Sequence, residues 1–309
     1  MCALERMTLR SAYEIMEENT KKIRQHGAAA AFIDGRLAAG HVAFSLADLV
    51  KETGLSVTAA KNQLRRLGSQ VVRVSRLQQF FLIVSPEHRS MGAPPVTWWL
   101  DDYFSWLGHP YYLALQSAAG TYGSNPQALQ VTQVMTDGSR REIEVGRLRV
   151  RFFVKRGIEQ TPTQPLANAF APTRVSTPEA TAFDLVRYAS RIGGIGRAVE
   201  TLTPLLPLMG VTELKRMLEA ENEPASAQRL GYIIETAGKK KLAEIIHDWL
   251  PPQLALVPLG PAKTSRMTTP VVERWRVLNN SGELGLCGSD CSRYRLWILQ
   301  RIRNLPDKP

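Results

Sequence analysis

The chain has 309 residues, of which 44% are hydrophobic, so it can form two globular domains of ordinary size. Its formal net charge of +11 and its pI of about 9.8 favour a polyanionic partner, either nucleic acid or an anionic surface. No apolar run approaches the roughly 18 residues that a membrane-spanning helix needs, and Glu5 and Arg6 come too early for a secretory signal peptide.

The cysteines bear on the compartment in which the chain works. Cys2, Cys287 and Cys291 lie near the two ends of the sequence, a distribution that does not suit a disulfide framework. The sequence therefore predicts a cytoplasmic protein that has no membrane partner.

Two helical segments are predicted before residue 40. Residues 1–27 form a predicted N-terminal helical extension, because apolar residues recur there at helical spacing. Residues 28–39 form a second predicted helix, which Gly40 ends. We assign this second helix to a winged helix-turn-helix domain that covers residues 28–87.

The stretch Ser45–Leu67 is predicted to be two short helices joined by a tight turn. Ser45 can cap the first helix, Gly54 can adopt the positive φ of the turn, and Ser56 can cap the second helix. In the second helix, small and apolar residues share one face, and polar or basic residues share the other. This pattern is typical of a helix-turn-helix whose second helix enters the major groove of DNA.

Two short strands, residues 71–76 and 80–84, are predicted after this helix pair and would form the wing. The segment Gly54–Val84 contains basic residues and no acidic residue, which favours a contact with phosphates. The candidates for contacts with base edges in the major groove are Thr58, Lys61, Asn62 and Arg65. The candidates for contacts with phosphates or an adjacent minor groove are Arg66, Arg73 and Arg76. An ordinary helical hairpin with a solvated basic face is the alternative interpretation.

The Pro- and Gly-rich stretch Pro86–Pro95 marks the predicted boundary with a second domain, residues 95–284. An aromatic helix is expected between residue 97 and Gly108, and another helix from His109. Strands are then predicted at residues 129–135 and 141–155, joined by an Asp137-Gly138 turn.

Helices dominate the remainder of the second domain. Thr177 and Pro178 predict a helix start, and this helix would continue to about residue 192. Further helices are predicted at residues 196–209, 212–222, 225–237 and 240–250, followed by an extended return over residues 258–278. Residues 285–309 form a tail with no clear element. The predicted fold class is therefore α+β, with an N-terminal winged helix-turn-helix domain and a larger mixed α/β C-terminal domain.

One predicted strand carries a row of arginines. Arg147, Arg149 and Arg151 alternate with apolar residues, so they would line one face of a half-buried strand. A solvated outer face explains this row adequately. A second contact with a polyanion, either DNA phosphates or an acidic partner surface, is the sharper interpretation.

Several motifs together resemble the AbiEi family of antitoxins from type IV toxin–antitoxin systems. The resemblance covers residues 28–284. The N-terminal motif is FSLADLVKETG, and the next is PPVTWWLDDYFSWLGHPYYLALQSAAGTYG. The later motifs are QVTQVMTD, RVSTPEATAFDLVRY and RLGYIIETAG. The helix-turn-helix motif alone is common among repressors, whereas the order of the later motifs is more specific.

The resemblance implies a transcriptional autorepressor whose winged helix binds repeats in double-stranded DNA of its own promoter, with inverted repeats as the expected arrangement. It also implies that the C-terminal domain counters a nucleotidyltransferase toxin encoded beside it, without a stable complex as the usual expectation. For this antitoxin role, the candidates are exposed charges on the helix that starts near Thr177 and the arginine row. These candidates are Glu179, Asp184, Arg187, Arg147, Arg149 and Arg151.

The sequence does not predict an enzyme, a metal site or a cofactor. The five histidines are scattered, and Cys287 and Cys291 have no second pair near them that would complete a zinc site. No Gly-rich phosphate loop of the P-loop or dinucleotide type occurs.

Two alternatives to the antitoxin stay open. A DNA-reading nuclease would use carboxylates to bind Mg²⁺, and the available acidic residues are Asp101, Asp102, Glu142 and Glu144. A winged-helix repressor with a ligand-sensing C-terminal domain would have an aromatic pocket, formed by Trp98, Trp99, Tyr111 and Tyr112. Aromatic residues at this spacing are more often part of a core than of a ligand cage.

Overall fold

A computed structural model describes residues 27–124, 130–167, 169–260 and 269–280, and within these ranges the chain forms ten α-helices and three β-sheets. The chain folds into two compact units. The first unit holds residues 27–108, 142–150 and 169–171, and the second holds the other described residues. The predicted extension before Gly27 and the predicted tail at 285–309 lie outside the described residues.

The first unit contains a three-helix, three-stranded arrangement. Its helices are α1 (Ala28–Ala38), α2 (Leu46–Thr53) and α3 (Val57–Arg66). Its strands are β1 (Ala43–Ser45), β2 (Val71–Arg73) and β3 (Phe80–Ile83), which pair antiparallel in the order β1-β3-β2. Helices and hairpin lie where the sequence predicts them, whereas β1 was not predicted because three residues carry too little periodicity.

Capping interactions define the ends of α2 and the start of α3. The Ser45 hydroxyl accepts the Asp48 N–H at 3.1 Å, and the Asp48 carboxylate accepts the Ser45 N–H at 2.9 Å. This reciprocal pair is a capping box. Gly54 ends α2 with a left-handed φ of 67°, and the Ser56 hydroxyl accepts the Ala59 N–H to cap α3. The predicted caps and turn are confirmed.

The core of the first unit is aromatic. Phe44 lies between Phe32, at an edge-to-face centroid distance of 5.2 Å, and Phe81, stacked at 5.5 Å. Leu49 and Ala60, fully buried on α2 and α3, pack in the same core. The small side chain of Ala60 allows α2 and α3 to approach each other closely.

The first unit also includes α4 and residues 142–150, which belong to a second hairpin from a distant part of the sequence. Helix α4 (Leu100–Leu107) ends at Gly108 with a φ of 69°, as predicted. The hairpin is held by a close backbone approach, in which the Arg147 N–H donates to the Met91 carbonyl at 2.8 Å. A Cβ atom on Gly146 would lie 2.1 Å from that carbonyl oxygen, so only glycine fits there.

The largest sheet has six strands in the order β6-β7-β5-β4-β9-β8. These strands are β4 (Tyr111–Leu113), β5 (Val131–Thr136), β6 (Ile143–Val145), β7 (Leu148–Val154), β8 (Thr163–Pro165) and β9 (Arg174–Ser176). Strand β4 pairs antiparallel with β5 and parallel with β9.

Two predictions for this region are wrong. The helix expected from His109 is instead strand β4, and only Leu115–Thr121 forms a helix, α5. Aromatic residues favour strands, and sheet neighbours on both sides of β4 decide its conformation. The single strand expected over 141–155 is a hairpin, because Gly146 adopts a φ of 57° and turns β6 into β7.

The second unit is completed by five helices and a small sheet. The helices are α6 (Pro178–Arg187), α7 (Ile195–Leu202), α8 (Val211–Glu221), α9 (Pro224–Thr236) and α10 (Lys240–Trp249). The small sheet contains β10 (Val257–Pro258), β11 (Val271–Val272) and β12 (Val277–Leu278) in the order β10-β12-β11. The helix starting at Pro178 and the four later helices lie close to their predicted positions, although 3₁₀ turns follow α6 and α7. Of the extended return predicted over 258–278, residues 261–268 lie outside the described residues, and the described part contributes to β10, β11 and β12.

The large core of the second unit lies among these helices and one face of the large sheet. Phe183 of α6 and Trp275, which follows the helices, are among the largest fully buried side chains in this core. Trp275 packs against α9 at Gly231, where a Cβ atom would lie 2.1 Å from the indole ring. Across the described ranges, the structure contains no helix that is both long and apolar enough to span a membrane.

Candidate functional site

Helix α3 separates its residues into a buried face and an exposed face. Ala60 and Leu64 point into the core, and the Gln63 side chain accepts the Ala29 N–H at 2.9 Å, which ties α3 to α1. The residues predicted to contact DNA are all exposed, and we name them together the basic surface. The basic surface consists of Thr58, Lys61, Asn62, Arg65, Arg66, Arg73 and Arg76.

Arg73 connects the helical and hairpin parts of the basic surface. Its guanidinium lies over the Phe81 ring, 5.4 Å from the centroid, and donates a hydrogen bond to the Arg76 carbonyl at 3.1 Å. A groove of about 450 Å³ lies between α3 and the hairpin. It is lined by Lys61, Leu64, Arg65, Gly68, Val71, Arg73 and Phe81. The groove is therefore lined by both basic and apolar side chains.

The second unit contains a buried ionic cluster, which sequence reasoning missed. Lys155, with 1% of its side chain exposed, directly follows β7 and donates to Asp184 of α6 at 2.8 Å. It also donates to Glu221, the last residue of α8, at 2.6 Å, and to the Tyr112 hydroxyl at 3.1 Å. We define the buried ionic cluster as these four residues together with Thr161, whose hydroxyl donates to Glu221 at 2.8 Å.

The Tyr112 hydroxyl closes this network because it also donates to Asp184, at 2.7 Å. Burial raises the pKa of Tyr112 well above its ordinary value, and the adjacent Asp184 charge adds to this effect. Burial and Asp184 together raise the pKa of Glu221, although Lys155 opposes the rise. Two carboxylates thus share one buried ammonium group, an arrangement that is costly unless all the partners stay in place.

Arg187 links the buried ionic cluster to the protein surface. Its guanidinium contacts Glu221 at 3.4 Å and Glu223 at 3.0 Å, while 27% of its side chain remains exposed. Among the acidic and basic residues of α6, Arg187 is accordingly the one that solvent or a partner can reach.

The prediction that Glu179 and Asp184 are exposed is wrong. Asp184 is completely buried in the ionic cluster, and Glu179, at 2% exposure, accepts the Gly210 N–H at the start of α8 at 2.7 Å. Helix α6 is buried on nearly all sides, so its charges face packed helices. The sequence did contain a sign of this burial, because Asp184 and Lys155 each stand next to apolar residues in the chain. A charged side chain in such a context is usually paired when it is buried.

Arg149 and Arg151 of the arginine row lie on the exposed face of β7, as the alternation predicts, and Arg147 directly precedes this strand. Arg147, Arg149 and Arg151 are exposed, whereas Val150 and Phe152 are buried. Arg149 pairs with Glu144 of the neighbouring strand at 3.2 Å, but both side chains are more than half exposed. An ion pair of this kind contributes little to stability.

The acidic residues considered for a nuclease do not form a metal site. Within the part of the chain that the structure describes, no group of three or more His, Cys, Asp or Glu side chains could hold a metal ion. Burial raises the pKa of Asp102, although the charges of His41 and Arg36 oppose the rise. Asp101 and Asp102 lie in the first turn of α4, where negative charge also complements the helix dipole.

The aromatic residues considered for a ligand pocket are mainly core residues. Trp99 and Tyr112 are almost fully buried and Tyr111 is 8% exposed. Trp98 is half-buried and stacks on Phe170 at a centroid distance of 4.2 Å. The tryptophans belong to the first unit and the tyrosines to the second.

Comparison with known proteins finds a family model that matches part of the chain. Residues 112–236 match the model of the AbiEi antitoxin C-terminal domain. The crystal structure of the RV2827C protein from Mycobacterium tuberculosis is similar in fold, with a TM-score of 0.59 and 14% sequence identity. The similarity covers 89% of this chain and 94% of that chain, and at this identity it concerns the fold alone. No curated protein matches the chain.

The matched region contains most of the features described for the second unit. It runs from Tyr112 in β4 to the end of α9, and all residues of the buried ionic cluster lie within it. The AbiEi antitoxin family is not known as a family of enzymes, and its domain indicates an antitoxin with a toxin as its counterpart. Residues 112–236 thus match an AbiEi antitoxin C-terminal domain, which supports an antitoxin of this family.

Proposed function

We propose that this protein is a DNA-binding transcriptional autorepressor and the antitoxin of a type IV toxin–antitoxin system. In this proposal the first unit is a winged helix-turn-helix that binds double-stranded promoter DNA. The second unit counters a nucleotidyltransferase toxin encoded next to it. One observation carries the proposal, namely that a single chain joins an AbiEi antitoxin domain to a helix pair whose outer surface is basic. Neither activity requires catalysis by this chain.

The charge of the basic surface supports the DNA-binding part of the proposal. Among the described residues, the cations of the basic surface have no carboxylate partner within ion-pairing distance. Cations without carboxylate partners are available to replace the counterions of a DNA backbone. The capping box and the Gly54 turn fix α3 in position, so its exposed face is presented as one rigid surface.

Different members of the basic surface have different proposed roles. Asn62 and Arg65 carry side chains that can pair with adenine and guanine edges, at roughly 1–3 kcal/mol of discrimination for each base. Arg66, Arg73 and Arg76 would contact phosphates or the adjacent minor groove. A phosphate contact should strengthen binding to all sequences alike, whereas a base contact should favour one sequence.

A gel-shift titration on the promoter fragment upstream of the gene tests the DNA-binding part. We expect Asn62→Ala and Arg65→Ala to reduce the preference for this fragment over a scrambled fragment by about tenfold each. Arg73→Ala should instead weaken both complexes alike and lower the salt dependence by about one counterion. Arg89→Ala is the matched control, because Arg89 is exposed in the same unit but lies outside α3 and the hairpin.

The assignment of α3 as the recognition helix would be wrong if Asn62→Ala and Arg65→Ala bound the promoter as the unmodified protein does.

A gene for a nucleotidyltransferase next to the gene for this chain would support the antitoxin part. Co-expression of the two genes then provides the direct assay, since the antitoxin should restore growth that the neighbouring gene product arrests.

A further inference from the structure

The turn between β2 and β3 presents an apolar side chain at its tip. Leu77 has 79% of its surface exposed, the largest value among the exposed large hydrophobic side chains of the described residues. Single exposed apolar residues are common on protein surfaces, so exposure alone has no functional meaning. Leu77 differs from such residues in its position at the tip of a held turn and in the basic residues near it.

Hydrogen bonds on both sides of Leu77 hold the turn that carries it. The Gln78 N–H donates to the Ser75 carbonyl at 3.2 Å, and the Leu77 N–H donates to the Ser75 hydroxyl at 3.4 Å. Arg73 donates to the Arg76 carbonyl at 3.1 Å, and Gln78 is bound to the Tyr103 hydroxyl of α4. The backbone of the tip is thus anchored on both sides of Leu77, while the leucine side chain itself points away from the core.

Two arginines precede the exposed leucine in the same hairpin. Arg73 and Arg76 are both exposed, and no acidic residue occurs between Gly54 and Val84. Arg73 also lines the groove that it shares with Lys61 and Arg65 of α3. The tip therefore belongs to the same positively charged region as the exposed face of α3, which favours a polyanion over an apolar protein surface as the partner.

An apolar side chain beside arginines matches the chemistry of the DNA minor groove. Arginines are attracted by the negative potential of a narrow minor groove. Proteins that bind there insert apolar side chains such as leucine between base pairs, which unstacks one step and bends the duplex. The unstacking cost of a few kcal/mol is offset by the additional contacts that bent DNA makes with the protein.

We propose that Leu77 is a minor-groove wedge that inserts at one base step and bends the promoter DNA. The inference rests on the proposed DNA-binding function of the first unit and specifies how its wing engages DNA. Arg73 and Arg76 contact the phosphates next to the step, and α3 occupies the adjacent major groove. Because the wedge deforms that base step, a flexible step should favour binding even though the protein forms no hydrogen bond to its bases.

The experiment measures DNA bending and base unstacking with the full-length protein. The probe is the promoter fragment with fluorophores at its two ends, and a second set of fragments carries 2-aminopurine at successive positions. The unmodified protein should increase energy transfer between the ends and should increase 2-aminopurine fluorescence at one step per binding site. Leu77→Ala should lose both signals, with a change in affinity of no more than about tenfold.

Two further variants separate the wedge from general effects of a mutation. Leu77→Phe should keep both signals, because phenylalanine also serves as a wedge. Leu208→Ala is the matched control, since Leu208 is a half-exposed leucine of the second unit. It should behave as the unmodified protein does.

The outcomes distinguish a failed wedge from a failed DNA-binding proposal. Binding of the promoter by the unmodified protein without bending or unstacking would overturn the wedge and leave the role of α3 standing. Absence of any promoter binding would overturn both. If Leu77→Ala converts a dimer into a monomer in light scattering while bending is unchanged, the leucine contacts a second copy of the chain and the wedge is wrong.

Discussion

Lys155 is a buried charge whose hydrogen-bonding capacity is fully used by other side chains. Its ammonium group has three donor positions, and these meet Asp184, Glu221 and the Tyr112 hydroxyl. Removing an ammonium group from water costs several kcal/mol, and the two carboxylates offset this cost only while the geometry is maintained. Lys155 therefore stabilises the fold only while both carboxylates stay in place, because each charged member of the cluster depends on the others.

Replacing Lys155 should destabilise the protein strongly. Lys155→Met leaves two buried carboxylates without their cation, so we expect a loss of roughly 3–5 kcal/mol in the free energy of unfolding. Urea denaturation followed by far-UV circular dichroism measures this loss. Lys215→Met, an exposed lysine on α8, is the control and should change stability by less than about 0.5 kcal/mol. Equal effects of the two substitutions would contradict the interdependence of the cluster.

Glu221 should make stability depend on pH in a defined direction. Burial and Asp184 raise its pKa in the folded protein, so the folded state holds the proton more tightly than the unfolded state does. The contribution of this group is fully present below the unfolded pKa, about 4.3. It is lost as pH rises through the folded pKa, because the unfolded state has already released the proton.

Glu221→Gln should remove this part of the pH dependence. Relative to the unmodified protein, the stability of the variant should therefore improve as pH rises through that window. Denaturation curves at a series of pH values measure the difference, and Glu219→Gln, an exposed residue of the same helix, serves as the control. A difference that is constant with pH would show that Glu221 does not titrate differently in the two states.

Elements of this protein differ in how far they depend on local sequence. The ends of α2 and α3 are set by Ser45, Asp48, Gly54 and Ser56, which act on backbone groups within a few positions. Such elements can be recognised from sequence. Strand β4 has no comparable local signal, and it forms because β5 and β9 pair with its two edges.

The hairpin of β6 and β7 provides a test of a contact that glycine alone allows. Gly146→Ala would place a methyl group against the Met91 carbonyl and would also require alanine at a φ of 57°. We expect a loss of stability of more than about 1 kcal/mol, visible as a lower melting temperature. Gly138→Ala is the matched control, because no other atom lies within 4 Å of its Cβ position. If Gly146→Ala leaves the melting temperature unchanged, the backbone at Gly146 can move away from the Met91 carbonyl without cost.

At the scale of the whole molecule, the proposed function divides between the two units. If DNA binding belongs to the first unit and toxin neutralisation to the second, the two activities should be separable in the full-length protein. The double variant Asn62→Ala/Arg65→Ala should lose promoter repression in a reporter assay but still restore growth when the toxin is expressed. Loss of both activities in a variant with unchanged circular dichroism would contradict this division.

Much of the fold follows from the sequence, but less of the candidate site does. The helix pair, the hairpin after it and the late helices are predictable, because caps and apolar spacing act over short distances. The exposed positions of Asn62 and Arg65 are also predictable, and their contact with DNA stays a prediction. The expected exposure of Glu179 and Asp184 was wrong, since one amphipathic helix pattern cannot indicate how many neighbours will cover it.

The basic outer face of α3, the caps that position it, and the motifs that resemble AbiEi antitoxins all follow from the order of residues in the chain. Each depends on residues that are close together in the chain or on their order along it. The buried ionic cluster, in contrast, becomes visible only in the folded protein, where Lys155 meets Asp184 across 29 positions and Glu221 across 66. The physical reason is that a buried charge is tolerated only beside its partners, and folding alone brings such distant partners within hydrogen-bonding distance.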